Sequence, residues 1–242
     1  MTSYMEYYRE NLYPFQDRIL KSVESLSLPF YLTGGTALSR FYFKHRFSDT
    51  LDLFVNNEAG FADHVAKVIK NISASMRVEV IPASIISSPS FYEISYRDPL
   101  SGAVLKIDFV NDVPFHIGDF HKAEEFSRID SIDNILSNKL SAVIGRSEVK
   151  DAVDIREICL NHEFNWSNIL EAASHKEAFM DTDFLCGALL DINESDLRQI
   201  KWIKEPEFCN FKADIDAICN DMIMLSDNTL CKRRKTTYIV ES

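Results

Sequence analysis

The amino-acid sequence predicts an α+β protein, with a mixed sheet and its helices in the first half and a helical bundle in the second. Short alternating or apolar segments, typical of strands, and the glycines are concentrated before about residue 115. Beyond about residue 130, nearly every segment carries apolar residues at helical spacing. We therefore predict an α/β domain over residues 1–125 and a helical bundle domain over residues 126–242.

The predicted elements of the first half follow from local patterns. Residues 5–27 indicate a helix that breaks near Tyr13, because Pro14 cannot continue the helical hydrogen bonding. The segments that follow are a strand at 29–33, a helix at 36–45, a strand at 51–55, a helix at 59–72 and strands at 77–81, 91–97 and 103–110. In the second half the helical pattern covers 132–145, 148–161, 167–178, 180–190, 195–204 and 211–225.

Composition excludes several classes of protein. The net charge of −11 argues against non-specific coating of nucleic acid, and no run approaches the roughly 20 apolar residues of a membrane span. The five cysteines are scattered, with no Cys-x-x-Cys pair, which supports neither a disulfide framework nor a zinc site. Without a basic segment and an apolar stretch at the N-terminus, we expect a cytoplasmic protein. The basic run over residues 232–235 is either a solvated tail or a nucleic-acid contact.

A glycine pair, Gly34-Gly35, joins an apolar strand to an apolar helix and is followed by Thr36. Glycines let the backbone approach a phosphate closely, and a helix beginning there offers unpaired N–H groups. The alternative is a tight turn with no ligand. Taken alone, this motif is weak evidence.

Two carboxylates lie inside strand-like segments. In the alternating strand at 51–55, Asp52 falls on the face opposite Leu51 and Leu53, so it is expected to line a cleft or bind a cation. Asp108 lies within a second apolar strand, where it would complete the same site, act as a general base, or cap a turn. Carboxylates two apart on one strand are typical of Mg²⁺-assisted phosphoryl transfer, but the position two before Asp52 is Thr50. Asp49 points to the other face unless a bulge rotates it.

Three segments together resemble the AbiEii/AbiGii-type nucleotidyltransferase toxin family, within the polymerase-β-like nucleotidyltransferase superfamily. They are residues 34–38 (GGTAL), residues 45–54 (HRFSDTLDLF) and residues 106–109 (KIDF). Residues 138–142, Arg146 and residues 150–155 of the second half are similar to the helical motifs of that family. The resemblance spans roughly residues 28–160 and implies a nucleotidyltransferase-like N-terminal sheet.

The resemblance also implies roles for individual residues. The nucleotide would be bound by residues of both halves, namely Gly34, Gly35, Thr36, Ser48, Lys139, Asp151 and Asp154. Catalysis would involve Asp52, Asp108 and Lys139, with Mg²⁺ or Mn²⁺ held by Asp52, Asp108 and, as a further candidate, Asp49. A lysine that faces a polyphosphate is a sensible charge partner. The alternative is an ion pair between Lys139 and Asp154 that links two helices.

The implied activity is transfer of NMP from an NTP to an acceptor such as tRNA or a protein hydroxyl, with a cognate antitoxin as partner. Thr50 departs from the family, which has aspartate there, so one anionic metal ligand is missing. Two alternatives follow: a catalytically degenerate nucleotide-binding or interaction protein, and a small-molecule nucleotidyltransferase of the antibiotic-modifying type. The sequence identifies neither the base nor the acceptor.

Overall fold

A computed structural model describes residues 2–146, 148–177 and 180–231 of the 242-residue chain. The basic run at 232–235 lies outside these residues. Two compact units are distinguished. The first comprises the described part of residues 1–42, together with 47–114 and 119–130, and the second comprises residues 43–46, 115–118 and the described part of 131–242. Whether these units correspond to independent domains with the predicted boundaries stays a prediction.

The first unit is built on a mixed sheet. Its strands are β1 (Tyr31–Thr33), β2 (Thr50–Asn56), β3 (Glu79–Val80), β4 (Ile86–Ser88), β5 (Phe91–Arg97) and β6 (Val104–Asp112). The order is β1-β2-β6-β5-β3, with β4 also paired to β5. The central pair, β2 and β6, is parallel, whereas the other pairs are antiparallel. The predicted α+β class with a mixed sheet is confirmed, and β4 was not predicted.

Helices in the first unit are α1 (Thr2–Tyr7), α2 (Tyr13–Glu24), α3 (Gly34–Thr36) and α4 (Phe61–Ser75). A π-helical turn, Tyr8–Leu12, precedes α2, so the regular helix begins where Pro14 predicts. A second π-helical segment, Ala37–Tyr42, continues α3. The predicted helix ends before residue 45 because Lys44 adopts a positive φ of 53°, which interrupts helical geometry.

The core of this unit lies on one face of the sheet. In β2 the exposure alternates along the strand, with Leu51, Leu53 and Val55 buried. On β6, Phe109 contacts Phe30, whose ring also meets Phe61 of α4. The opposite face of β2 and β6 therefore carries the polar residues of these strands.

The second unit is helical in its described part: α5 (Ile132–Arg146), α6 (Val149–Asn161), α7 (Trp166–Ser174), α8 (Thr182–Leu190), α9 (Glu194–Leu197) and α10 (Phe208–Ile223). The predicted helix at 195–204 is wrong beyond Leu197. The carbonyl of Leu197 accepts a hydrogen bond from the Trp202 indole at 2.9 Å, and a continuing helix would use that carbonyl for residue 201. Across the described residues, no helix combines the length and apolar character needed to cross a membrane.

Candidate active site

Asp52 and Asp108 lie side by side on the polar face of the sheet. The two residues are register partners on the parallel strands β2 and β6. Because Leu51 and Leu53 are buried on the core face, Asp52 projects to the other face, and its partner Asp108 shares that face. The prediction that the two carboxylates occupy neighbouring strands on one face is confirmed.

Gly34 brings the backbone of the β1–α3 turn against Asp52. Its φ is +67°, and a Cβ added there would lie 2.5 Å from Asp52 Oδ2. The preceding residue, Thr33, is the register partner of Asp52 on β1. Glycine is thus required both by the backbone conformation and by the close approach of a carboxylate. The turn therefore lies directly against the Asp52 carboxylate.

Thr36 and Ser48 connect this turn to the start of β2. Both are buried, and their hydroxyl oxygens are 2.8 Å apart. The Thr36 hydroxyl also donates to the Thr50 carbonyl. These contacts hold the turn beside β2. They account for hydroxyl-bearing residues at positions 36 and 48 without any bound ligand. A nucleotide-binding role for Thr36 and Ser48 stays a prediction.

Lys106 places a positive charge beside Asp108, between that residue and Glu93. Its Nζ lies 2.7 Å from Asp108 Oδ2 and 3.3 Å from Glu93 Oε2. Glu93 is the register partner of Asp108 on β5, and Lys106 is the register partner of Thr50 on β2. Three neighbouring strands therefore contribute charged side chains to one face.

The charges in this cluster are not balanced at Asp108. Burial raises the pKa of Asp108 to about 6, with the negative charges of Asp52 and Glu93 adding to the rise and Lys106 opposing it. Burial acts against the charged form of Lys106, but its hydrogen bonds and attraction to Asp108 and Glu93 outweigh burial and raise the Lys106 pKa. The site thus holds a carboxylate whose negative charge is under-compensated.

The Asp52–Asp108 pair suits a single divalent cation that takes its other ligands from water and substrate. It does not form a site in which the protein supplies every ligand. Asp108 Oδ1 is buried and has no hydrogen-bond partner among the residues that the structure describes. Mg²⁺ is commonly bound by one or two carboxylates, with water and substrate phosphates completing its shell. Within the described ranges, however, no group of three or more His, Cys, Asp or Glu side chains is arranged to hold a metal ion.

Asp49, the further candidate metal ligand, precedes β2 and is exposed. The pairing of β2 with β6 runs without a bulge from Thr50 to Asn56, so nothing in the strand rotates Asp49. Its carboxylate instead accepts a hydrogen bond from the Tyr8 hydroxyl. Burial and the neighbouring carboxylate raise the pKa of Tyr8. A metal-binding role for Asp49 stays a prediction.

Lys139 lies in the second unit, buried between Asp151 and Asp154. Its Nζ is 2.7 Å from Asp151 Oδ1 and 2.7 Å from Asp154 Oδ2. Both aspartates are fully buried, whereas Lys139 is 6% exposed. The alternative interpretation, an ion pair between Lys139 and Asp154 that joins α5 to α6, is confirmed. Their predicted contacts with nucleotide are untested, and such contacts would require these ion pairs to open.

Two arginines and a histidine also contact the same aspartates. Arg46 lies 2.7 Å from Asp154 through Nε and again through Nη2, and His45 Nε2 is 2.8 Å from the same carboxylate. Arg146 lies 3.0 Å from Asp151. Burial would raise the pKa of each aspartate, but the lysine and arginine charges, together with hydrogen bonds, outweigh burial and lower both pKa values. The segment 43–46 is thereby anchored to α6.

A groove of about 930 Å³ is present in the second unit. It lies among α6, α8 and α9, and its lining includes Lys150, Phe184, Asp191, Gln199 and Ile200. Of the residues singled out from the sequence, Lys150 lines it, but none of the predicted catalytic, nucleotide-binding or metal-binding residues does. The groove therefore adds no support to the predicted site.

Sequence reasoning missed Lys106 and Glu93 as members of the site. Lys106 stands two residues before Asp108, so the same alternation places both on one face. That signal was available in the sequence. The approach of Glu93 depends on the pairing of β5 with β6, which the local pattern does not define.

Comparison with known proteins agrees with this architecture. A structure of JHP933 from Helicobacter pylori has 18% identity, a TM-score of 0.57 and coverage of 96% of this chain and 97% of that chain. A second H. pylori structure, of a protein assigned as a nucleotidyltransferase, has 18% identity, a TM-score of 0.58 and coverage of 94% and 96%. These likenesses show the fold alone, and no curated protein matches the chain. The family model "Nucleotidyl transferase AbiEii toxin, Type IV TA system" matches residues 18–228. The chain therefore belongs to the AbiEii nucleotidyl transferase toxin family.

Proposed function

We propose that this protein is a divalent-cation-dependent nucleotidyltransferase that transfers NMP from an NTP to a hydroxyl acceptor, with activity weakened by Thr50. The observation that carries the proposal is the register pairing of Asp52 with Asp108 beside the Gly34 turn. Membership of the AbiEii family supports the reaction class.

The chemistry assigns distinct tasks to these residues. In the transfer, the acceptor oxygen bonds to the α-phosphorus, the bond from that phosphorus to the bridging oxygen breaks, and pyrophosphate leaves. Asp52 and Asp108 would hold Mg²⁺ or Mn²⁺, which neutralises developing charge on the phosphates. Asp108 Oδ1, which has no hydrogen-bond partner within the described part of the chain, is the oxygen available for the cation or for the proton of the hydroxyl.

Thr50 is the reason for expecting a slow rate of NMP transfer. The neutral hydroxyl of Thr50 contributes no charge to a cation site. The Thr50 backbone carbonyl already accepts a hydrogen bond from the Thr36 hydroxyl. Loss of one anionic ligand is expected to slow transfer by about a hundredfold or more. Nucleotide binding would then rely on the backbone of the Gly34–Gly35 turn and, as the family resemblance implies, on Lys139.

A second candidate function is nucleotide binding without transfer. The specific observation in its favour is that Thr50, which stands where the family has aspartate, has the cationic Lys106 as its register partner, so neither residue supplies an anionic metal ligand. The proposed partners are the same in both cases: an NTP and a cognate antitoxin, the latter implied by the type IV toxin–antitoxin family. Transfer to tRNA or to a protein hydroxyl would distinguish the first function from the second.

The test is transfer of label from each α-³²P-labelled NTP, with Mg²⁺ or Mn²⁺, to total tRNA and to protein. We expect slow transfer by the natural chain, none by Asp52→Asn, and a gain of about a hundredfold or more for Thr50→Asp, by restoring the anionic ligand. Thr50→Asn is the matched control, because it has nearly the shape of aspartate without its charge. Brisk transfer by the natural chain with no gain for Thr50→Asp contradicts the weakened-enzyme proposal. No transfer by Thr50→Asp, with nucleotide still bound, supports the second function.

A further inference from the structure

Thr50 and Lys106 together leave one end of the candidate site without negative charge. They are register partners, two residues along β2 and β6 from the Asp52–Asp108 pair. Side chains two residues apart on a strand share a face, so all four lie on the polar face. At one end of the Asp52–Asp108 pair, the site thus has a neutral hydroxyl on β2 beside an ammonium on β6.

We infer that Lys106 competes with the divalent cation for Asp108, so that the site binds metal weakly until a nucleotide supplies the missing anionic ligands. The inference rests on the proposed function, because it takes the Asp52–Asp108 pair as the metal site. It assigns to Lys106 the control of metal affinity. Lys106 is not a catalytic residue in this proposal.

The geometry of the lysine supports direct competition. Its Nζ lies 2.7 Å from Asp108 Oδ2, which is ion-pair distance and places it on a carboxylate that the metal would share. Glu93 Oε2, at 3.3 Å, holds the ammonium on the other side. A divalent cation that approaches Asp108 is repelled by this charge at close range, where Coulomb energies are substantial even at high effective dielectric constants.

The Lys106 ammonium can also move away from Asp108 when a cation binds. Its side chain is 37% exposed, so the ammonium borders solvent and can turn away without crossing the core. Glu93 and the incoming triphosphate offer alternative partners for it. Nucleotide phosphates, which are metal ligands in their own right, would therefore both recruit the cation and attract the displaced lysine.

The test measures Mn²⁺ binding to the full-length protein at pH 8 by electron paramagnetic resonance, with and without a non-hydrolysable NTP analogue. Lys106→Met should raise the affinity for Mn²⁺ alone by about tenfold or more, since it removes an adjacent positive charge. Lys106→Arg keeps the charge and should bind as weakly as the natural chain. Arg18→Met is the matched control, because it removes the ion pair between Arg18 and Asp98 at the far end of β5. That control should leave Mn²⁺ binding unchanged.

The outcomes separate this inference from the proposed function. With the analogue present, the difference between Lys106→Met and the natural chain should shrink. Equal Mn²⁺ affinity of the two proteins without nucleotide overturns the competition and leaves metal-dependent transfer standing. Failure of both proteins to bind Mn²⁺ even with the analogue overturns the metal site itself, and with it this inference. Circular dichroism shows whether each variant is folded.

Discussion

The two units each contain a lysine between two carboxylates, and the two clusters differ in nearly every other respect. Lys106 lies between Asp108 and Glu93 on an open face of the sheet, with 37% of its side chain exposed. Lys139 lies between Asp151 and the fully buried Asp154 inside the helical unit. The same chemical group is therefore used once near solvent and once in the core.

Their electrostatic balance differs as well. The pKa of Asp154 is lowered, because Arg46 and Lys139 outweigh the effect of burial, whereas burial and neighbouring carboxylates raise the pKa of Asp108 to about 6. In a buried cluster the charges have to stay paired, since removing one partner leaves a costly unpaired charge. A cluster with an under-compensated carboxylate is stabilised when a cation binds and balances the negative charge. The comparison separates a structural charge cluster from a candidate ligand site.

The largest expected effect is loss of stability on breaking the buried cluster. Lys139→Met leaves Asp151 and Asp154 short of a partner, and we expect the free energy of unfolding to fall by about 3–5 kcal/mol, as for other broken buried pairs. Urea denaturation measures it. Lys150→Met is the matched control, because its pair with Glu148 is about 45% exposed, and such pairs contribute at most about 1 kcal/mol. Equal losses for the two variants would contradict a structural role for Lys139.

A smaller effect of opposite sign is expected at the sheet cluster. The pKa of Asp108 is higher in the folded state than in the unfolded chain, so its negative charge disfavours folding. This penalty is absent well below pH 4, grows as pH rises toward 6, and is complete above it. Asp108→Asn removes the penalty, so its stability relative to the natural chain should rise by about 2 kcal/mol between pH 4 and pH 7.5. Urea denaturation at the two pH values, without divalent cations, measures it.

A pH-independent difference between Asp108→Asn and the natural chain would contradict the unbalanced charge. Added Mg²⁺ supplies a second check. If the cation compensates Asp108, it should stabilise the natural chain at pH 7.5 and leave Asp108→Asn nearly unchanged.

The smallest stability effect is expected at the turn. Gly34→Ala forces a positive φ on alanine, which costs about 1 kcal/mol, and pushes the movable Asp52 carboxylate aside. Gly102→Ala is matched in backbone strain, with φ +71°, but meets nothing within 4 Å. Thermal unfolding should show similar losses for the two, while only Gly34→Ala reduces nucleotide binding. Equal nucleotide binding would show that the turn and Asp52 do not form one site.

Local patterns predicted much of the first unit. Period-two alternation placed Asp52 opposite Leu51 and Leu53, and helical spacing predicted α4 to within a few residues. Strand β4 was missed because its short sequence, Ile-Ser-Ser, has exposed side chains and no alternation to detect. The end of α9 was missed because it depends on the Trp202 side chain, which no helical periodicity includes.

The sequence by itself determined which residues carry charge and which strand face each one takes, since side-chain direction is set by neighbours along the chain. It did not determine that Asp52 pairs in register with Asp108, or that Thr50 faces Lys106, because the pairing of β2 with β6 joins segments some fifty residues apart. Only the tertiary structure decided that Lys139 lies buried in an ion pair while Lys106 lies near solvent. Long-range packing, which no local period encodes, sets the burial of each charge.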